Sequence, residues 1–463
     1  MNSVIAVREN ENGSVVSALS LRFSCFDRKR HQFFFNFRFG VIVDRNSVTF
    51  FLPMSVQIAV SAEEVRQLEY DVRLLEWQSE YTLTKELSDK TFESWVASVQ
   101  AKDPNTRSIF VSIPSYRDEE CPKTLLDLYT KASFPQRIFV GIYQQNEPNN
   151  VDCLNLLHKL PKGVNQNIQV MRVSSGDAQG PTHARAQIQQ HMFRDQDYFM
   201  AIDSHMMFTQ GWDVKCISQL HHCDSVKSVL TTYPLDFDKS KRTPIGFPMA
   251  TCIRLNDFDL QARMPRQERM EFYQSCSHPL PTIGYAAGFN FSPGVIVKEV
   301  PYDAYTPYLF LGEESLMALR MYTAGYDLYC PNEIILFHLT TREYRPLFWE
   351  QYHAKFAAPM KELAPIPQSV KNKRAALKEE SLLKVQTLLS GKTDHILAPY
   401  GLGMHRNIEE YFHCIGVNYD MQTVFARSKV GLSKYASNEE QMAKYGRSAA
   451  DLLGIAAPLG KQA

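Results

Sequence analysis

No CxxC pair occurs in this 463-residue sequence, although nine cysteines are spread through it at positions 25, 121, 153, 216, 223, 252, 276, 330 and 414. An odd, scattered set fits reduced thiols in an intracellular protein better than a disulfide framework. Cys216 and Cys223 lie beside His221 and His222, a grouping that suggests zinc, but no second ligand pair follows at zinc-finger spacing. Excess charge is missing too: 50 Lys and Arg balance 50 Asp and Glu. No global field points to nucleic acid or to a membrane surface, so neither is expected as a partner.

Long uncharged apolar runs are also absent. The first residues, MNSVIAVREN, lack the apolar core of a secretory signal. The aromatic stretch HQFFFNFRFGVIVDRNSVTFFLPM carries Arg38, Asp44 and Arg45, and falls short of the roughly 18 apolar residues that a membrane span needs. It reads as a core hairpin or a leader rather than an anchor, with Met54 a candidate functional start, and the expected location is cytoplasmic. Neither GxGxxG nor GxxxxGKS occurs, which removes the main support for a dinucleotide or P-loop site. There is no internal repeat.

What is present is strand–helix alternation. Ser61 and Glu64 have capping-box spacing, and Leu68, Val72 and Leu75 recur at helical intervals. From Ser108 onward the short apolar runs SIFVSIP, RIFVGIY, IQVMRVS, YFMAID and SVLTTYP read as buried strands. Candidate helices lie at 120–132, 150–160, 182–194 and 212–222. Continuous apolar strands alternating with helices predict an α/β fold with a mostly parallel sheet flanked by helices. The charged segment 235–282 reads as a loop or flap. The stretch 311–331 reads as a helix ending at Gly325 followed by a strand, and 370–390 as an amphipathic helix stopped by Gly391. The expected organisation is an aromatic leader over 1–60, a helical lead-in over 61–104, a catalytic α/β domain over 105–345 and a helical appendage over 346–463.

The chemistry gathers at predicted strand ends, where ligands of such sheets bind. Asp203 and His205 follow YFMAI two positions apart, so both side chains project to one side. Oxygen plus nitrogen ligation suits a divalent metal, Mn²⁺ or Mg²⁺. The plainer alternative has Asp203 capping a turn and His205 at the surface. His338 closes NEIILFH, another apolar run, and would complete a facial set of ligands. Glu313 and Glu314 in GEES sit at a helix start, where carboxylates cap readily. Their functional alternative is contact with a sugar or a reacting hydroxyl. Ser115, Tyr116, Arg117 and Asp118 follow the first strand, as a turn or as a site for base and ribose. In GDAQGPTHARAQ, Pro181 opens a helix whose first turn holds His183 and Arg185. Arg185 would meet a diphosphate there, or tie a carboxylate structurally.

Taken together, IFVSIPSYRDEECPKTLLDLY, GDAQGPTHARAQ, YFMAIDSHMMFTQGWD and LFLGEESLMALRMYTAGYDLYCP with the later FHL resemble the cytoplasmic polypeptide N-acetylglucosaminyltransferases, relatives of the mucin-type GalNAc-transferases. The resemblance covers about 105–345. It implies a GT-A glycosyltransferase fold and transfer of GlcNAc from UDP-GlcNAc to a protein hydroxyl, a hydroxyproline of the adaptor subunit of SCF ubiquitin ligases. It further implies Asp203, His205 and His338 as ligands of Mn²⁺ or Mg²⁺, with Ser115, Tyr116 and Arg117 by the uridine. Arg185 and Asp203 would lie by the donor, Glu313 and Glu314 by the donor sugar or the acceptor, and Trp212 beneath the Asp203–His205 loop. The implied linkage is α, with retention. Retaining glycosidases use a carboxylate nucleophile; front-side attack needs none, so the glutamates are expected to position rather than attack. Two other readings stand beside this one: a metal-dependent hydrolase of a nucleotide-sugar or phosphoester, and a non-catalytic binding protein on the same fold.

Overall fold

The computed structural model describes residues 4–9, 15–20, 40–44, 47–51, 85–246, 250–271, 278–341, 344–346, 348, 368–391, 400–426 and 428–430. Contacts divide the chain into two units, Met1–Trp77 and Gln78–Ala463. In the first unit β1 (Val4–Glu9) pairs antiparallel with β2 (Val15–Ser20), and β3 (Gly40–Asp44) with β4 (Ser47–Phe51). The β3–β4 pair falls inside the aromatic stretch. The expected capping box at Ser61 and the helical repeat after it lie outside the described residues.

The second unit begins with α1 (Lys85–Gln100) and then alternates as the apolar runs predict. In chain order come β5 (Ile109–Tyr116), α2 (Cys121–Thr130), β6 (Ile138–Asn146), β7 (Ile168–Ser174), α3 (Pro181–Met192), β8 (Tyr198–Ile202), β9 (Met206–Phe208), α4 (Trp212–His221) and β10 (Ser228–Thr231). The strands β11 (Phe237–Asp238), β12 (Thr243–Pro244), β13 (Thr251–Asp259), β14 (Met264–Glu271), β15 (Leu280–Pro281) and β16 (Phe289–Pro293) follow. After them come α5 (Ile296–Glu299), α6 (Glu313–Thr323), β17 (Asp327–Cys330), β18 (Leu336–His338), α7 (Gln368–Leu389), α8 (Ile408–Ile415), β19 (Val417–Asn418) and β20 (Thr423–Val424).

The main sheet runs β15-β17-β10-β16-β8-β5-β6-β7. Its β8-β5-β6-β7 half is parallel throughout, and β10 runs parallel to β17. Between these blocks β16 is inserted antiparallel to both β8 and β10. Central β8 is buried at every position, whereas edge strand β7 alternates, as exposure of one face requires. Ile109, Val111 and Ile113 face a core shared with Leu125, Leu128, Trp212 and Leu220 of α2 and α4. The intervening Phe110 faces α3, pressed so close that a Cβ on Gly141 would lie 2.6 Å from its ring and 2.9 Å from Ile188. Helices therefore cover both faces. This is the α/β architecture that the GT-A resemblance implies.

Three expectations need correction. Residues 150–160 form turns and a short 3-10 segment, Leu157–Lys159, instead of a helix. Asp152 there accepts the Leu154 amide at 2.8 Å and binds Gln144 and Arg172 through its carboxylate, so side-chain bonds replace a helical repeat. The charged segment 235–282 contains the long hairpin β13–β14 rather than only loop. Its charges pair across the strands, Arg254 opposite Glu268 at 3.0 Å, while Ile253, Leu255 and Met264 are buried. Finally, Cys121 and Cys153 are joined as a disulfide, not held as two free thiols. They are 32 residues apart, a spacing with no motif, and only the pairing of β5 with β6 brings their Cα atoms to 5.1 Å.

Candidate active site

Because β5, β6 and β8 are parallel, their carboxyl ends open at one edge, delivering Tyr116, Gln145 and Asp203 together. After Ile202 the chain leaves the sheet: the Asp203 amide donates to the Gly288 carbonyl at 3.2 Å, and Met206–Phe208 starts a separate two-stranded sheet with β18. In that register His338 lies opposite Met206, and the Leu339 amide donates to the His205 carbonyl at 3.0 Å. His338 was expected at an end of the main sheet. It reaches the site from this small sheet instead, because β9 has already peeled away to meet it.

Asp203, His205 and His338 each turn one donor atom to a common point, all within 4.8 Å of one another. His338 Nε2 stands 3.0 Å from His205 Nε2 and 3.4 Å from Asp203 Oδ2. Metal–donor bonds of about 2.1 Å at right angles separate neighbouring donors by about 3 Å. Two imidazole nitrogens facing each other this closely need a proton or a cation between their lone pairs. The donor set and its spacing thus fit a divalent ion with mixed oxygen and nitrogen preference.

The other oxygen of Asp203 is occupied. Arg185, 2% exposed, binds Asp203 Oδ1 at 2.9 Å, Glu313 Oε1 at 2.9 Å and the Ala287 carbonyl at 3.2 Å. Burial works against the charge on Arg185, but Glu313 and Asp203 hold it charged, above its ordinary range. Burial would likewise raise the Asp203 carboxyl; the His338 hydrogen bond and the Arg185 charge outweigh it and keep the group ionised, well below the usual carboxylate range. Gly288 has to be glycine, since a Cβ there would sit 2.9 Å from Asp203 Oδ2.

Asp203 and His205 line a cleft together with Tyr116, Gln145, Gly180 and Phe348, among others. Of the run Ser115 to Arg117, only Tyr116 lines it; strand alternation turns Ser115 into the protein, and Arg117 Nε binds Asn150 at 3.0 Å. Arg185, Glu313 and Glu314 stand behind the cleft wall, not on it. For Arg185 the structural tie is the one observed. Glu314 binds the Tyr233 hydroxyl and accepts the Ala287 amide at 3.0 Å; burial pushes its carboxyl up to about 7. Asp118, expected beside base or ribose, is 1% exposed; it accepts from the Glu120 amide and the Ser204 and Tyr344 hydroxyls and lies 2.8 Å from His205 Nδ1. Trp212 packs on Phe208 at 4.9 Å between ring centroids, beneath the strand that continues the Asp203–His205 turn. Gly288, Gln145 and Phe348 escaped the sequence reading, and of these only Gly288, in the small-residue run GYAAGFNF, left any local signal.

The family model described as Glycosyltransferase (GlcNAc) matches residues 108–165 and 156–421. No curated protein matches the chain. Among solved structures, GalNAc-T7 with UDP, GalNAc and Mn²⁺ is similar at 13% identity and a TM-score of 0.41, over 65% of this chain and 53% of that one. The chain thus spans about half of that protein's length. Staphylococcus aureus TarS residues 1–349 in complex with UDP-GlcNAc is similar at 14% identity and a TM-score of 0.33, over 60% of this chain and 73% of that one.

Proposed function

The chain belongs to the Glycosyltransferase (GlcNAc) family, and from that premise we propose that it transfers GlcNAc from UDP-GlcNAc to a protein hydroxyl, the hydroxyproline of the SCF ubiquitin-ligase adaptor subunit, with retention and in the cytoplasm. The observation that carries the reading is the convergence of Asp203, His205 and His338 at the mouth of a cleft formed by the carboxyl ends of β5, β6 and β8. Among the described residues no helix is long and apolar enough to cross a membrane.

In this reading Asp203, His205 and His338 hold Mn²⁺ or Mg²⁺, which when bound offsets the charge that grows on the β-phosphate of UDP as the glycosidic bond breaks. Arg185 fixes Asp203 by Oδ1, which leaves Oδ2 turned toward His338. Tyr116 forms the wall beside the uridine, its ring edge-on to Phe348 at 5.6 Å, with Ser115 and Arg117 as its flanking residues on the chain. Glu313 and Glu314 act through their partners: Glu313 anchors Arg185, and Glu314 holds Tyr233 and the Ala287 amide next to Gly288. Neither serves as a nucleophile, so departure of UDP and attack by the acceptor hydroxyl occur on the same face of the sugar.

The test is UDP release from a panel of UDP-sugars with Mn²⁺, with Mg²⁺ and with EDTA, with and without the hydroxylated adaptor. Metal-dependent turnover of UDP-GlcNAc that rises with the hydroxylated adaptor, and not with its unhydroxylated form, is the expected result. Turnover insensitive to EDTA, or confined to another donor, overturns the reading.

A further inference from the structure

The geometry points to Asp118 as a positioning residue that sets which nitrogen of His205 carries the proton, and through it the metal affinity of the triad. The inference rests on the metal site proposed above. Arg117 ends β5 with φ of 48°, in the left-handed region that a non-glycine residue rarely occupies. That turn carries the next residue, Asp118, under the β8–β9 connection, where it is 1% exposed.

Apart from the His205 contact, whose direction the tautomer sets, every hydrogen bond that Asp118 makes is one in which it accepts. Oδ2 takes the Ser204 hydroxyl at 2.7 Å and faces His205 Nδ1 at 2.8 Å, while Oδ1 takes the Glu120 amide at 3.0 Å and the Tyr344 hydroxyl at 3.1 Å. Arg345 Nε lies 3.4 Å from Oδ2 as its counter-ion. An ionised carboxylate offers no proton, so the hydrogen on the His205–Asp118 bond belongs to Nδ1. The neutral ring then has its lone pair on Nε2, the atom facing His338 and Asp203. In the other tautomer Nε2–H would point at the ligand position and close it. A carboxylate behind a metal-binding histidine also raises the ring's basicity, and loss of such a partner typically weakens metal binding by roughly 10- to 100-fold. The same carboxylate anchors Tyr344 and Arg345, and Arg345 lines the cleft, so ligand orientation and cleft wall share one support.

Two measurements test this on the full chain. The first is the ¹⁵N spectrum of the His205 imidazole in metal-free protein. Wild type is expected to carry its proton on Nδ1, and Asp118→Asn to shift toward Nε2 or a mixture. A wild-type proton on Nε2, or the same tautomer in both proteins, overturns the inference, and the wild-type spectrum decides even where the variant fails to fold. The second is Mn²⁺ affinity from the signal of the free ion. Asp118→Asn is expected to lose roughly 10- to 100-fold, with Tyr344→Phe, which spares Oδ2, within threefold of wild type. Equal loss in both variants would assign the effect to packing and overturn the positioning role. Should wild type bind Mn²⁺ no better than His205→Ala, the triad reading fails by itself, and the tautomer spectrum still decides the role of Asp118.

Discussion

Two nearby stretches of this chain gather histidines beside metal-capable side chains, and they end in different places. At 203–205 the side chains meet His338 at the edge of a cleft, with Asp203 30% and His338 14% exposed. At 216–223 the four candidates lie on or just after α4, and among the described residues they form no converging donor group. Cys216, His221 and Cys223 are 0%, 1% and 2% exposed, and burial pushes both thiols well above their ordinary range, so neither offers a thiolate. His221 spends Nε2 on the Tyr198 hydroxyl at 3.0 Å, and burial with the Arg107 charge pushes it down to about 3. His222 Nδ1 faces its own helix, 2.6 Å from the Ser218 carbonyl. Closeness in sequence placed the second group on one helix without convergence. The first converges although its third member comes from a strand far along the chain. A metal site needs lone pairs aimed at one reachable point, and neighbouring positions on a helix do not supply that.

The largest way to break the contrast is Trp212→Ala, at the junction of the two stretches. Its indole N–H donates to the Leu128 carbonyl at 2.8 Å and its ring floors β9, so truncation should cost about 3–5 kcal/mol, read by chemical denaturation. Next is Asp203→Ala. Turnover of UDP-GlcNAc should fall by about 10²- to 10³-fold with the fold retained; activity within tenfold of wild type would remove the triad from catalysis.

A third prediction concerns the two adjacent glutamates, which diverge as the two stretches do. Glu314 holds its proton up to about pH 7 in the folded state against an ordinary 4.5. A raised carboxyl contributes stability that is complete below about 4.5 and is lost as pH rises through about 7. Relative to Glu314→Gln, wild type should therefore weaken between pH 5 and 8 by about 1–3 kcal/mol. Parallel stability curves for the two proteins would refute this.

His221→Phe removes one of the two partners of the Tyr198 hydroxyl, leaving Arg107, and should cost about 0.5–1.5 kcal/mol without changing metal dependence. The smallest effect sharpens the comparison most. In Cys216→Ala/His222→Ala, EDTA-sensitive turnover should stay within about twofold of wild type, and loss of metal dependence there would reinstate the second stretch.

Local pattern served well wherever burial was uniform. The runs at 109–116, 138–146 and 198–202 are strands because their apolar residues fill both faces of a parallel block, and 168–174 pairs with β6 as its half-exposed edge. Gly325 ends α6 with φ of 90°, and Gly391 follows α7 with φ of 73°, as their positions after periodic segments predict. The pattern misled where charge disguised amphipathicity, in the β13–β14 hairpin whose Arg254 and Glu268 neutralise each other across the strands. It misled again at 150–160, where Asp152 organises turns through side-chain bonds that no periodicity records.

Composition and order of the residues by themselves determined the α/β class, most element positions and the kinds of donor at the site, since these depend on propensity and on local apolar period. Only the tertiary structure decided which donors meet. The register His338 opposite Met206, the insertion of β16 beside β8, the Arg185 tie between Asp203 and Glu313 and the Cys121–Cys153 pairing all join residues that are distant in sequence. Such contacts are selected by sheet order and hydrogen-bond register, which depend on how the whole unit packs and leave no trace in any short window of sequence.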